Sequence, residues 1–553
     1  MSQPLTPARP RHDWVLVGLS GLWLLGWRLV LDTPWGFDPV PTSGGLVNVG
    51  IAYNAGDTWS YLSWVQQYYH GANLAGLNYT TEPHAPLLWL FPLWLIGKTA
   101  AVTGLSVLGT YNAAGVVGTM AAVYCLLRVA TALGLPVSAR HWTAVAFLLG
   151  SGGSWLWHAA HKLGLAPPAH GGDLFFLDLF PSTALIAYAY HAVGLALLAA
   201  LWWTITELES RRLGGQPAAR WLAATAVLAL LLGFSRPYEP VAFLGAWGLK
   251  TAWHWIRRKQ QPTAWRSSLA CGVLLGLCLF PGIGWALWVS TQPVWSTFAR
   301  ESLALGLDRT AWLWTFAGWA GLVALGVGPA LRADARRAVL PVAATVLLGL
   351  ILFGLGSAQA KLASGLILGP ILLAGWGAAR LVSVAHRLPA WLQVASGGLL
   401  LSGLLGIGSL FMNLNAMKLE GPALVDADLV ALARRLPFDH TRPAPVVLTD
   451  AATGALLPGM TGARVWVGHW SLSGHYQAKV ARLRLAGLDP QVRPLAPART
   501  ADALTGILSD AAFDYALLDR RCVAALAFLR GHEWQPVEQT PRWSLLRAPR
   551  YSP

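Results

Sequence analysis

Several groups of residues in this sequence have types and spacings suited to chemistry. The first lies in AGDTWSYLSWVQQYYHGANLAGLNYTTEPHAPLLWLFPLWLIG, residues 55–97. Here Asp57, with Tyr61 shortly after it, opens one apparent helix, and Glu82 and His84 in Glu-Pro-His-Ala-Pro open another. A carboxylate at a helix start can take a proton from a substrate hydroxyl, or it can only cap the helix. His84, between Pro83 and Ala85, can bind a ligand or only shape a turn. The turn SRPYEP brings Arg236 and Glu239 within reach of each other as a clamp. Other polar groups stand in HGGDLFFLDLFPS (Asp173, Asp178), in TQPVWSTFARESLALGLDR (Arg300, Glu301, Asp308) and at Gln359 and Lys361.

The elements that must position these groups follow from composition. The chain has 553 residues, is 55% hydrophobic and only 12% charged, about half the charge of a soluble protein. Apolar runs of roughly 20 residues recur from Asp13 to about Asn413, the length a helix needs to cross a bilayer. A polytopic, mainly α-helical membrane protein is expected. Many of its 30 tryptophans fall near span ends, where an amphipathic ring suits the headgroup zone. The net charge of +15 comes from short basic loops and not from a clustered groove, so nucleic acid is excluded as a partner. Cys125, Cys271 and Cys278 lie in apolar spans and Cys522 stands alone, which makes neither a disulfide framework nor a zinc site. The run from Trp14 to Leu31 is long and lacks a small-residue cleavage site, so it reads as a span and not a cleaved signal.

Arg9 and Arg11 place the N-terminus inside, and the first span, residues 14–31, carries the chain out. Further spans are expected at about 108–130, 141–160, 183–205, 221–235, 241–255, 268–290, 311–331, 338–356, 362–383 and 391–413. If residues 87–104 cross fully, every later basic loop falls outside. If they form a surface or half-inserted helix, all five basic loops, Arg128 to Arg140, Arg211 to Arg220, Arg257 to Arg266, Arg332 to Arg337 and Arg380 to Arg387, fall inside. Pro83, Pro86 and Pro92 weaken that segment as a plain crossing helix, which favours the second choice. The result is about 11 spans plus a partly inserted helix. All the polar groups named above then lie on one membrane face, although none of them was used to choose the topology. Polar groups converging at one face suggest a site for a polar headgroup. A lone acid at such a face is costly unless used, which favours Asp57 as more than a cap.

Composition divides the chain into a membrane domain, residues 1–417, whose first outer loop covers about 32–107, and an extracytoplasmic domain, residues 418–553. The second is charged and proline-punctuated. Strand-like runs VVLTD (446–450), ARVWVGH (463–469) and YALLD (515–519) alternate with helical stretches at 476–486 and 500–512, so a small α/β fold is expected. Its run GARVWVGHWSLSGHYQAK gathers His469, Trp470, His475 and Lys479. Surface histidines after a strand and turn are one reading; acceptor binding or a lid is the other.

The acid in GDTWSYLSW followed by His84, Ala85, Pro86 and Leu87 resembles the GT-C glycosyltransferases. More narrowly it resembles the branch with protein O-mannosyltransferases and lipid A aminoarabinose transferase. That branch typically shows Asp-Glu in this loop and His-Pro-Pro-Leu at the next helix. Here Thr58 follows Asp57 and Ala85 replaces the first proline, over a match of about residues 50–100. The resemblance implies an inverting transfer of a sugar from a polyprenyl-phosphate donor to an acceptor at the outer face of the plasma (inner) membrane. The acceptor, whether lipid, glycan or protein, is not specified, and the bilayer is itself a partner. Asp57 would be the base, and Arg236, Arg300 and Lys361 the cations facing the leaving phosphate. Tyr61, Glu82, His84, Asp178 and Glu239 would line the donor or acceptor site. No cofactor is called for with certainty, and a divalent metal stays open. Two rivals remain, a transporter or flippase for a lipid-linked saccharide and a non-catalytic envelope assembly protein. A transporter would favour polar groups deep in the spans and two related halves.

Overall fold

The computed structural model describes residues 11–30, 40–41, 45–48, 55–150, 160–165, 181–259, 263–303, 309–332, 339–353, 359–404, 424–437, 443–491 and 497–549. Helix dominates them. Where apolar residues face lipid, no water is present to satisfy the backbone, and a helix satisfies its own N–H and C=O groups. Four helices are long and apolar enough to cross a membrane: Val107–Ala132, Ala189–Leu213, Ala264–Val289 and Leu368–Ala385. All four fall on expected spans. Shorter apolar helices lie at Asp13–Gly26, Ala219–Ser235, Trp319–Leu331, Val339–Gly349 and Ala390–Leu400. The segment weighed as half-inserted forms the helix Phe91–Thr103, closed by Gly104 in the left-handed conformation. Its 13 residues rise about 20 Å, short of the roughly 30 Å hydrocarbon core.

The chain divides into two compact units. Unit one comprises Met1–Trp27, Ala113–Leu287 and Leu303–Met417; unit two comprises Arg28–Asn112, Trp288–Ser302 and Lys418–Pro553. Residue 417, the boundary read from composition, is thus one of several places where the chain passes between units. The segment after the first helix belongs with the C-terminal residues.

Unit one is a helical body with an apolar core that includes Trp202, Phe243, Leu275 and Leu372. The helices Arg309–Arg332 and Leu368–Ala385 approach so closely that a Cβ at Gly377 would run into the Leu322 carbonyl oxygen. Small residues at helix contacts are the usual means of such approach in membranes. One ion pair is fully enclosed: Lys250 Nζ lies 2.5 Å from Glu209 Oε2 and 3.8 Å from the centre of the Trp247 ring. Truncating either partner would leave an uncompensated buried charge.

Unit two holds two sheets. The smaller is antiparallel, β1 (Val40–Pro41), β2 (Leu46–Asn48) and β3 (Leu424–Asp426), joining the segment after the first helix to the C-terminal region. The larger has β4 (Val446–Leu448), β5 (Arg464–Val465), β6 (Tyr515–Asp519), β7 (Gln535–Gln539) and β8 (Trp543–Arg547) in the order β5-β4-β6-β8-β7. The strands β5, β4 and β6 run parallel; β8 and β7 add antiparallel pairs. Leu448, Ala516, Leu518 and Leu546 put the sheet's apolar residues into a core with Leu504, Ile507 and Leu529 from flanking helices. Asp450, just past β4, accepts from the backbone of Ala452 and Thr453 and so caps the helix Ala451–Thr461.

That helix is what the segment after the first helix packs on. The helix Ala55–Tyr69 lies so close that a Cβ on Gly459 would sit 2.5 Å from the Trp59 carbonyl oxygen. Gln66 donates to Met460 O at 3.2 Å, Asn78 donates to Gly462 O at 2.7 Å, and Val465 N donates to Asn78 O at 2.8 Å. Residues 55–78 therefore extend the α/β body by side-chain and backbone hydrogen bonds.

Candidate active site

Asp57 sits inside the first turn of the helix Ala55–Tyr69, not at the capping position that the sequence offered as an alternative. There a carboxylate is favoured by the positive end of the helix dipole. Its Oδ1 lies 3.1 Å from His469 Nε2. The His469 side chain is only 6% exposed and that of Asp57 is 32% exposed, so the imidazole is the more enclosed of the two. The expectation of a surface His469 is corrected by this burial; His475, by contrast, is exposed. Ser471 presents its backbone N–H 3.3 Å and its hydroxyl 3.2 Å from His469 Nδ1. A backbone N–H can only donate, so this network assigns the lone pair to Nδ1 and the proton to Nε2, pointing at Asp57.

Two rings flank the imidazole. Tyr79 lies 5.8 Å away and Trp470 stacks at 5.9 Å. The buried Tyr79 hydroxyl donates to Ala455 O at 3.2 Å, and burial, then the charge of Asp57, push its pKa well above the usual 10. Tyr79 therefore stays neutral here. Tyr61, one turn after Asp57 on the same helix, is half-buried and 6.2 Å from the Trp64 ring.

Glu82 and His84 hold the segment around them in shape. Glu82 accepts from Lys479 Nζ at 2.7 Å, and the same ammonium donates to Trp466 O at 3.2 Å while lying 5.4 Å above the Trp466 ring. His84 Nε2 accepts from Leu77 N at 2.7 Å, which leaves Nδ1 to donate to Glu82 O at 2.8 Å. Burial is the main reason its pKa falls below the usual histidine value; the nearby Arg464 charge lowers it further, against the Glu82 carbonyl hydrogen bond and the Glu82 charge. Both ring nitrogens thus serve the backbone. Trp295 packs edge-on at 6.3 Å and donates to Ala85 O at 3.2 Å. Arg300, on the helix Trp295–Leu303, is exposed and bonds within that helix, to Ser296 O and Thr297 Oγ1.

Unit one carries a separate buried polar cluster. Arg236 Nη2 lies 2.7 Å from Glu239 Oε1, with the side chains 9% and 2% exposed, and Ser364 donates to the same oxygen at 3.0 Å. The clamp anticipated in SRPYEP is present. Arg236 Nη1 is buried with no hydrogen-bond partner among the described residues. A Cβ at Gly194 would run into the Arg236 side chain, so the glycine makes room for it. Lys361 Nζ lies 5.2 Å above the Tyr238 ring. His191, absent from the sequence reading, lies in the field of both Arg236 and Lys361. Its Nε2 is 2.6 Å from the Tyr190 hydroxyl, and its Nδ1 has no partner among the described residues. An ionisable residue within an apolar helix was the available signal for it.

Asp173, Asp178 and Asp308 lie outside the described residues, as does the side chain of Glu301. Among the described residues no three His, Cys, Asp or Glu side chains gather as a metal site.

No family model matches the sequence, and no curated protein does either. Solved structures do. ArnT from Cupriavidus metallidurans, bound to undecaprenyl phosphate, superposes with a TM-score of 0.52 at 15% identity, over 98% of this chain and 98% of that one. The archaeal oligosaccharyltransferase AglB from Archaeoglobus fulgidus, in complex with an inhibitory peptide and a dolichol-phosphate, gives 0.52 at 11% identity over 98% and 75%. The arabinofuranosyltransferase AftD from Mycobacteria gives 0.54 at 16% identity, covering 98% of this chain and 40% of that one. All three are GT-C glycosyltransferases, and this chain has their polytopic membrane fold.

Proposed function

We propose that the protein is an integral-membrane glycosyltransferase that moves a sugar from a polyprenyl-phosphate donor to an acceptor in one inverting displacement. The observation that carries this reading is Asp57: a partly exposed carboxylate in a helix's first turn, hydrogen-bonded to the enclosed His469. In such a displacement the acceptor oxygen attacks the anomeric carbon and its proton passes to Asp57. The bond from that carbon to the phosphate oxygen breaks, and the phosphate leaves with the electron pair. Phosphate already leaves well, so no second acid is needed. Thr58 in place of a second carboxylate is consistent with that economy.

The leaving phosphate needs fixed positive charge. Arg236 supports the donor reading because one of its Nη groups is buried and unpartnered among the described residues, with Lys361 also acting on its neighbour His191. Arg300, exposed and engaged locally, is the weaker of the three cations. The neighbours' complexes with undecaprenyl phosphate and dolichol-phosphate support a donor of this chemical class. The apolar helices would take its tail, and the reaction would lie at the outer face of the plasma membrane.

The test is a panel of radiolabelled polyprenyl-phosphate sugars offered to the purified full chain in lipid nanodiscs, with the product's anomeric configuration determined. Turnover of one donor with inverted configuration supports the proposal. Donor binding with no release or transfer, whatever acceptor is offered, contradicts it and favours movement of a lipid-linked saccharide.

A further inference from the structure

We propose that His469 is the positioning residue of the base: its Nε2–H holds Asp57 Oδ1, fixing the carboxylate's orientation and stabilising its anionic form. The inference rests on Asp57 being the base. Four observations converge on it. The two groups are 3.1 Å apart although 412 residues separate them in sequence, so the contact is made by folding and not by a local turn. The tautomer is set from the far side, where Ser471 aims its N–H and hydroxyl at Nδ1. The backbone that carries these groups is itself tied down: Gly468 N donates to Ser473 Oγ at 3.0 Å, and Ser473 Oγ donates to Tyr79 O at 2.8 Å. Finally, burial is uneven, with an enclosed imidazole behind an open carboxylate.

The enclosed imidazole presents one N–H to a carboxylate whose side chain is 32% exposed, so the buried partner aims the acid. A hydrogen bond to the charged form favours that form, so His469 keeps Asp57 ionised and ready to accept a proton. Among the described residues, Tyr79 is a titratable group in the field of Asp57, and burial holds it neutral.

The experiment compares wild type, His469→Ala, His469→Gln and Asp57→Asn as full chains in nanodiscs. It follows turnover of the radiolabelled polyprenyl-phosphate sugar that wild type accepts, against pH, with affinity for undecaprenyl phosphate measured alongside. Gln can place an amide N–H near the position of Nε2. His469→Ala is expected to lower kcat about 10- to 100-fold. The acid limb of its pH profile should move up by about one unit, while undecaprenyl phosphate affinity stays unchanged. His469→Gln is expected to recover most of the rate and the wild-type pH profile. Equal loss in Ala and Gln with no movement of the acid limb overturns the positioning role. So does an active His469→Ala beside an inactive Asp57→Asn. An Asp57→Asn as active as wild type instead removes the base, and the proposal with it.

A second readout needs no donor. In ¹⁵N-histidine spectra of the full chain, the signal missing from His469→Gln identifies His469 among the 14 histidines. A proton on Nε2 that responds to Asp57→Asn supports the proposal, and a proton on Nδ1 contradicts it, even where every donor in the panel is refused.

Discussion

The two polar centres of this molecule are assembled in different ways. In unit one, Arg236 and Glu239 are three residues apart at the start of one helix, and their pairing follows from the local chain. In unit two, Asp57 meets His469 because the segment after the first helix packs on the helix Ala451–Thr461 and the run after β5 turns back. The local pair is enclosed on both sides. The long-range pair is enclosed on one side only. A centre built from neighbours can be buried as a finished piece. A centre built from distant segments can leave one member at the surface, where a reacting group has to be.

The largest effect that would sharpen this contrast comes from Arg236→Met. Removing one partner strands Glu239 as a buried charge, at a cost of about 3–5 kcal/mol in stability. The paired change Arg236→Met with Glu239→Met is expected to restore most of that stability and still fail to bind undecaprenyl phosphate. Thermal unfolding and lipid-phosphate binding in the same nanodisc preparations check both halves. Recovered binding in the double variant would make the pair a clamp alone.

In unit two, Lys479→Met removes the ammonium that joins Glu82 to the Trp466 carbonyl. A loss of about 1–3 kcal/mol is expected, with faster hydrogen exchange across residues 75–90 and no change in unit one. Exchange rising equally in both units would break the comparison.

The smallest effect is a pH dependence at His84. Its folded pKa is lowered, chiefly by burial, so the folded segment binds its proton less readily than the unfolded chain does. The contribution is therefore complete above the unfolded value of about 6.5 and declines as pH falls below it towards the folded pKa. Hydrogen exchange near Leu77 should quicken between neutral pH and pH about 5.5 in wild type. In His84→Gln, which cannot charge, that quickening should be absent.

How far the sequence disclosed this follows the same division. The four long helices were legible because an apolar run of about 20 residues has few other uses. The turn SRPYEP announced its clamp because both members stand in one short segment. Strand β6 was read over its full extent, since Tyr515–Asp519 is a compact apolar run. The run 463–469 was read as one strand, but β5 stops at Val465, and the chain from Trp466 turns to set His469 behind Asp57. Nothing in local pattern marks that stop; it depends on the segment around Asn78. Strands β7 and β8 were not anticipated. Four of five residues of β8 are buried and most of β7 is exposed, so neither alternates cleanly. His469 was visible as an unusual residue in an unusual run, yet its partner lies 412 positions away and no periodicity reaches that far.

The measurement that bears most directly on the account is a comparison of wild type with Asp57→Asn, which keeps the side chain's shape and removes the base. Single-turnover transfer from the accepted polyprenyl-phosphate sugar would be timed while affinity for undecaprenyl phosphate is measured in the same nanodiscs. The account predicts a transfer rate lower by about 10²- to 10⁴-fold with affinity unchanged. A transfer rate equal to wild type would contradict it.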